Sequence, residues 1–359
     1  MSVTRRFTIA AVATLATLGL AGCSKGSADG QEKLVRIIAG GADVHGKYVP
    51  GGLTGVVQSD GWLEKRLGEK GYKLEFIDMP HAIGGPMINE GFANKSVEFA
   101  SYGDLPAVIG SSGGAPIRLV LSFTGSTNSY VLVPPNSPAR TMADLKGQRV
   151  ALHRGRPWEP AFARLLQSEG LKVSDFKIFN VNPSAGAAAL AAGKVDAFVG
   201  PIADADQLVS RGAGRVLWST KEAPAAWAAR TEIFGRKDFI AANPEITTLV
   251  AAAYVKAAKW ASAEENRDTY IKQLSLETPE RAIRADLEGT GDWKTRFAPL
   301  PIDILTDHYR YVIDYSAETG LIGQKPDIAD LTDTSLTSAA LKLADAEGYW
   351  SAPQQTAAR

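Results

Sequence analysis

The feature that most narrows the possible folds is an alternation of short β-type runs and helical segments, met twice along the chain. Residues 34–39 are an apolar β-type run ended by Gly40-Gly41. Trp62, Leu63 and Leu67 then fall at helical spacing before Gly71 stops the helix. Residues 73–78 read as a strand, 84–92 as a short helix, 97–101 as a third strand, and 117–124 and 130–133 as further strands. Pro134-Pro135-Asn136-Ser137-Pro138 interrupts the pattern, which then restarts. Residues 148–153, 176–181 and 195–199 read as strands, alternating with helices over 157–169, 185–192 and 202–211. Long helices with apolar stripes are expected over 244–263 and 301–318. Strands separated by helices require crossover connections, so the chain is an α/β protein with mainly parallel sheets and flanking helices.

The halves also correspond in detail. Asn94-Lys95-Ser96-Val97-Glu98 and Ala192-Gly193-Lys194-Val195-Asp196 each end a helix, turn, and open a strand with Val and an acid. Residues 35–39 likewise match 150–153, each run leading into a loop that contains glycine. Two lobes of one design are expected. Ligands of open α/β sheets bind beyond the carboxyl ends of the strands, and facing lobes bring those ends together across a cleft.

Composition excludes several classes. Lys plus Arg and Asp plus Glu both number 39, which argues against a nucleic-acid protein. A single Cys excludes a disulfide framework and CxxC-type metal sites. That Cys closes an export-type leader: Arg5 and Arg6, an apolar stretch over 7–20, then Leu20-Ala21-Gly22-Cys23. The tetrapeptide resembles the lipobox of bacterial lipoproteins, in which the Cys is lipidated; an ordinary secretory peptide is the other reading. Residues 1–22 are thus expected to be a signal peptide and 23–33 a lipidated Cys23 with a flexible tether. The protein is then exported and held at a membrane surface in the periplasm or on the cell surface.

Few residues carry chemistry. Gly41-Ala-Asp-Val-His-Gly46-Lys47 matches G-x-x-x-x-G-K, but Tyr48 stands where a P-loop needs Ser or Thr. Pro50-Gly51-Gly52 is not expected to propagate a helix, so the segment reads as a glycine-rich loop that lets backbone approach a ligand. His45, His81 and His153 fall at expected strand ends, and His308 is the fourth histidine; none shows metal-ligand spacing. They serve as hydrogen-bonding groups or, with Asp43 or Asp104, as a metal cluster. Gly84-Gly85-Pro86 opens a helix: its N–H groups suit an anion, or it is a tight turn with Pro in the first helical turn. The link 122–129, with Thr127 and Asn128, lines a polar site or crosses between lobes. In Arg154-Gly155-Arg156-Pro157-Trp158, Arg156 suits bidentate pairing with a carboxylate, sulfonate or phosphate, and Trp158 an apolar wall. A surface arginine and a packing tryptophan are the alternative. Asp104 most simply caps the helix 105–109; a partner for a ligand amine or hydroxyl is the second reading. Trp227 covers the cleft or packs in a core.

Pro50-Gly51-Gly52-Leu53, Gly84-Gly85-Pro86, Tyr102-Gly103-Asp104, Ala143-Asp144-Leu145-Lys146-Gly147 with Val150-Ala151, and the run 188–196 occur in this order. Their order and spacing resemble the solute-binding proteins of ABC importers for nitrate, sulfonate and taurine. This is the aliphatic-sulfonate-binding branch of the family that also contains thiamine-pyrimidine-precursor binders. The resemblance spans roughly residues 34–260. It implies a two-lobed type II periplasmic-binding fold with two crossovers and a hinge closing on a small anion. It also implies delivery to a permease and its ATPase, action as a monomer, and no cofactor or enzymatic activity. One lobe is expected from 34–125 plus 225–359 and the other from 126–224.

Carried onto this chain, the ligand-facing residues are His45, Gly84, Gly85, Tyr102, Asp104, Thr127, Asn128, Arg156 and Trp158, with Trp227 added as a cover. Many sulfonate binders have small hydroxyl residues where Arg156-Pro157-Trp158 stand, which points to a larger or aromatic anion: an aryl sulfonate, sulfate ester or aromatic carboxylate. The contrasting expectation is an extracytoplasmic enzyme or metal-binding sensor built on His45, His81, His153 and Asp104. The pyrimidine-synthase relatives use a Cys-rich motif that this chain lacks.

Overall fold

Apolar runs buried on both faces seek partners on either edge, and here they find them in two separate sheets. The computed structural model describes residues 33–351 apart from 81, 82, 277, 333 and 334. The leader, Cys23, the tether up to residue 32, and His81 lie outside the described residues. The strands are β1 (Lys33–Ala39), β2 (Gly41–Val44), β3 (Lys47–Pro50), β4 (Tyr72–Asp78), β5 (Phe99–Gly103) and β6 (Ile117–Leu121). They continue with β7 (Tyr130–Val133), β8 (Arg149–Leu152), β9 (Lys177–Phe179), β10 (Ala197–Gly200), β11 (Arg215–Ser219) and β12 (Thr231–Arg236).

One sheet has the order β4-β1-β5-β12-β6 and the other β9-β8-β10-β7-β11. In each, the fourth strand runs antiparallel to its neighbours. That strand is the one that follows a crossing: β7 after the chain leaves the first sheet, β12 after it returns. The two sheets with their flanking helices make the expected two-lobed α/β arrangement. Long helices Pro244–Ser262 and Ile302–Glu318 complete the cores against the first sheet. Among the described residues, no helix is long and apolar enough to cross a membrane.

The two corresponding segments build the same polar clip. Arg36 donates its backbone N–H and Nε to Glu98 Oε2, both at 2.9 Å, and Nη2 to Glu98 Oε1 at 2.7 Å and the Lys95 carbonyl at 2.9 Å. Arg149 donates N–H and Nε to Asp196 Oδ2, both at 2.9 Å, and Nη2 to Asp196 Oδ1 at 2.9 Å and the Gly193 carbonyl at 3.3 Å. Lys95 and Gly193 share a left-handed backbone, φ 65° and 67°. In each lobe the residue after the acid pairs with the residue after the arginine: Phe99 with Ile37, Ala197 with Val150. β10 is buried along its whole length and offers no alternation to choose a register, so the clip supplies one.

Several expectations need correction. The 41–47 segment is not an open loop but the β2–β3 hairpin. Its turn residues His45 and Gly46 both have positive φ (57° and 78°), as a two-residue hairpin turn demands. A helix does follow Pro50-Gly51, at Gly52–Asp60. Pro50 stays outside it, so its missing N–H costs no helical bond, and Gly52 takes φ 56° to make the entry. The strand expected at 97–101 lies two residues later. β11 and β12 were not anticipated. β12 carries Glu232 and Arg236, buried charges that break any apolar pattern. Glu232 is satisfied by Arg230 Nε, two residues before it (2.8 Å), and from distant parts of the chain by Ser122 Oγ (2.6 Å) and the Tyr309 hydroxyl.

Candidate functional site

The second-lobe segment that follows β8 lies directly against the first lobe. Arg156 is 9% exposed, and its Nη1 sits so close to Gly84 that a Cβ there would stand 2.0 Å away. Gly84 has φ 53°, a second reason that glycine occupies it. It precedes the Gly85–Ala93 helix. The guanidinium is therefore held at the N-terminal, partly positive end of a helix. Next along, a Cβ on Gly103 would stand 2.5 Å from Pro157 Cγ, and one on Gly155 3.2 Å from Ile109 Cδ1. Glycines thus admit close approach at three successive points.

Arg156 has no carboxylate partner among the described residues, and its buried Nε lacks any hydrogen-bond acceptor. Burial pulls the guanidinium below its ordinary pKa, the direction expected of a cation without a counter-charge. Its Cζ lies 5.2 Å from the centre of the Trp158 ring. Trp158 is itself buried, with Nε1 unpartnered. Trp227, half-buried, packs on the apolar cluster that contains Trp158. Among the described residues, two buried donors without acceptors, Arg156 Nε and Trp158 Nε1, thus stand on one short segment. Arg154 is already matched: its Nε meets Glu159 Oε1 at 2.7 Å, and the Gly155 N–H meets Glu159 Oε2 at 2.6 Å. Sequence reasoning named the arginines but passed over Glu159. The signal was a lone acid directly after Arg154-Gly-Arg-Pro-Trp.

Gly84, Gly85, Tyr102, Arg156 and Trp158 come together. Tyr102 stands beneath the helix start, donating to Asn89 Oδ1 at 2.6 Å and lying 3.3 Å from the Gly85 carbonyl. Burial drives its phenol pKa upward, so it stays protonated. Asp104 stands at the helix start one position inside the expected cap: Gly103 holds the cap position, and Asp104, 1% exposed, is the first residue of the Asp104–Ser112 helix, its Oδ1 accepting the Leu105 N–H at 2.7 Å. Its Oδ2 contacts His308 Nε2 at 2.8 Å and accepts the Arg230 N–H at 3.1 Å.

Thr127 and Asn128 lie where the chain crosses. The Thr127 N–H donates to the Ala229 carbonyl of the return crossing at 2.8 Å. Asn128 Nδ2 donates to the Asp286 carbonyl (3.1 Å) and Oδ1 (3.2 Å), and its Oδ1 accepts from Thr220 Oγ1 at 3.0 Å. Asn128 is thereby engaged in joining crossings rather than left with free groups. His45 stands exposed on the hairpin turn. Among the described residues, no group of three or more His, Cys, Asp or Glu is placed to hold a metal ion.

Comparison with known proteins gives these features a setting. The family model described as "NMT1/THI5 like" matches residues 86–267. The solved periplasmic sulfonate-binding protein SsuA of a sulfonate ABC transporter from Methylobacillus flagellatus KT is 40% identical. The match covers 91% of this chain and 99% of that one, with a TM-score of 0.80. A protein of Escherichia coli (strain K12), named as an aliphatic sulfonates-binding protein, is 33% identical over 137 residues, 38% of this chain and 41% of that protein. A protein so named from Bacillus subtilis (strain 168) is 23% identical over 336 residues, 90% of this chain and 93% of its own. The chain belongs to the NMT1/THI5-like family and stands beside the sulfonate-binding periplasmic proteins of ABC importers within it.

Proposed function

We propose that this protein is the solute-binding component of an ABC importer. It captures a small organic anion of the sulfonate, sulfate ester or aromatic carboxylate class between its lobes and delivers it to a permease. One observation carries the reading: a buried guanidinium without a counter-ion is held at a helix N-terminus. Both are positive, so they repel, and an anion seated between them turns that repulsion into two attractions. The planar fork of Arg156 matches two oxygens of a sulfonate, sulfate ester or carboxylate. Trp158 and Trp227 supply an apolar wall for the organic part. Contacts to both lobes favour the closed form by differential affinity, and closure is the signal the permease reads. The relatives' location supports an extracytoplasmic place of action, and the leader supports anchoring through a lipid on Cys23. The lobes are taken as 34–125 plus 225–359 and 126–224, the protein acting as a monomer without a cofactor.

A thermal-shift screen of the purified protein against aryl and alkyl sulfonates, sulfate esters, aromatic carboxylates, nitrate, pyrimidines and divalent metals tests the reading. A ligand at about 100 times its dissociation constant stabilises the folded state by about 2.7 kcal/mol. One class of organic anion should shift the transition, and Arg156→Ala should abolish that shift. A shift with metals alone, or turnover of a hit compound, would overturn the proposal in favour of a metal-binding sensor or an enzyme.

A further inference from the structure

We infer that Glu159 and Tyr315 are a positioning pair: Glu159 sets the shape of the anion-binding loop, and the Tyr315 hydroxyl holds that loop on the first lobe, so the pair tunes affinity without touching the ligand. The inference rests on reading Arg156 as the anion anchor.

Glu159 lies in the first turn of the Trp158–Ser168 helix and is fully buried. Its carboxylate takes three donors. Arg154 Nε and the Gly155 N–H belong to the loop itself, and the third is the Tyr315 hydroxyl, 2.9 Å from Oε1. Tyr315 belongs to the Ile302–Glu318 helix, which packs through Leu305, Tyr309 and Val312 on the core of the first lobe. The bond to Glu159 therefore spans the lobes. Beside it, Arg164 of the second lobe lies 3.5 Å from the ring centre of Tyr311, and the Tyr311 hydroxyl points to the Pro160 carbonyl at 3.4 Å. Tyr311 and Tyr315 are stacked one helical turn apart, 15° between planes.

The division of labour follows from which bonds survive opening. Arg154 and Gly155 move with Glu159, so the loop keeps its form when the lobes part. Arg154 stays neutralised and Arg156 stays unpaired. Of the three bonds to Glu159, only the Tyr315 bond is broken and remade, along with the Tyr311 contacts beside it. It is a hydrogen bond to a buried carboxylate, the stronger kind, and it contributes to closure whether or not an anion is bound. The bond favours the closed form that retains a bound anion, so losing it speeds release and weakens binding at a distance.

The test compares wild type with Tyr315→Phe, with Tyr311→Phe as a neighbouring control that loses a much longer hydrogen bond. The radius of gyration of the ligand-free proteins is measured by X-ray scattering. Dissociation of benzenesulfonate is measured by stopped flow. Tyr315→Phe should expand the ligand-free protein and speed benzenesulfonate release about tenfold, a factor equivalent to about 1.4 kcal/mol, with the association rate unchanged. Tyr311→Phe should do less. Circular dichroism confirms that each variant is folded, and Glu159→Gln serves as the second variant should Tyr315→Phe fail that check. Unchanged scattering together with unchanged release overturns the inference. If wild type does not bind benzenesulfonate, the aromatic-anion reading fails instead, and scattering alone decides the role of Tyr315.

Discussion

Arginine placed beside the positive end of a helix is an unfavourable pairing until a third, negative group joins it, and at Arg156 this acts on a side chain already taken out of water. Replacing it with lysine keeps the charge but discards the planar fork and the stacking on Trp158. Arg156→Lys should weaken anion binding about 10- to 100-fold by calorimetry, short of the complete loss expected for alanine. Gly84→Ala tests the other side of the contact. A methyl group there meets Arg156 Nη1 and is forced into φ 53°, so we expect a loss of about 1–2 kcal/mol in denaturant unfolding and weaker anion binding. At this scale, the sequence singles out residues whose chemistry asks for a partner, without saying which partner. Arg156 and the glycines were named on that ground. Asp104 and Asn128 looked like ligand groups as well, yet their partners are internal and distant: His308 for Asp104, Asp286 for Asn128. Polarity in the sequence announces a need for partners, and only the fold says who answers.

Among the elements, strands framed by turn signals were readable, and the paired openings at Glu98 and Asp196 pointed to the repeat before the clips were visible. β12 was not readable, because its buried charges are paired with charges just outside its ends, Arg230 for Glu232 and Asp238 for Arg236, and Glu232 also accepts hydroxyl hydrogen bonds from distant parts of the chain. The clip in the second lobe predicts a definite pH response. Arg149 holds the Asp196 carboxyl below its ordinary value, so the pair's contribution is present above the unfolded carboxylate range and fades as pH falls through the lowered folded value. Asp196→Asn should cost about 1 kcal/mol at pH 7, the modest size suited to a partly exposed pair, and the deficit should shrink in urea titrations as the medium is made more acidic. On the alkaline side, burial raises the Tyr270 hydroxyl to about 12. A raised folded value means stability intact below the ordinary tyrosine range near 10 and lost as pH climbs towards about 12. Tyr270→Phe should flatten that alkaline limb.

Over the whole molecule, the lobes are joined by two crossing strands bridged at Thr127 and Ala229, with Asp286 binding Asn128 and the Tyr130 hydroxyl from a third segment. Asp286→Ala removes the carboxylate that the buried Tyr130 hydroxyl donates to, while Asn128 keeps the residue 286 carbonyl, and a loss of about 1–2 kcal/mol in thermal unfolding is expected. The exchange of fourth strands also dictates an order of assembly. The second sheet, β7 to β11, is contiguous in the chain and can close as soon as β11 is available. The first sheet cannot: β12 must lie between β5 and β6, so β6, although older on the ribosome, waits as an orphan until the entire second lobe has been made. A chain threaded across a membrane from its N-terminus meets the same sequence of events. The lobe that emerges first is the one that finishes last, and its unpaired strand is the surface a chaperone in that compartment would need to guard.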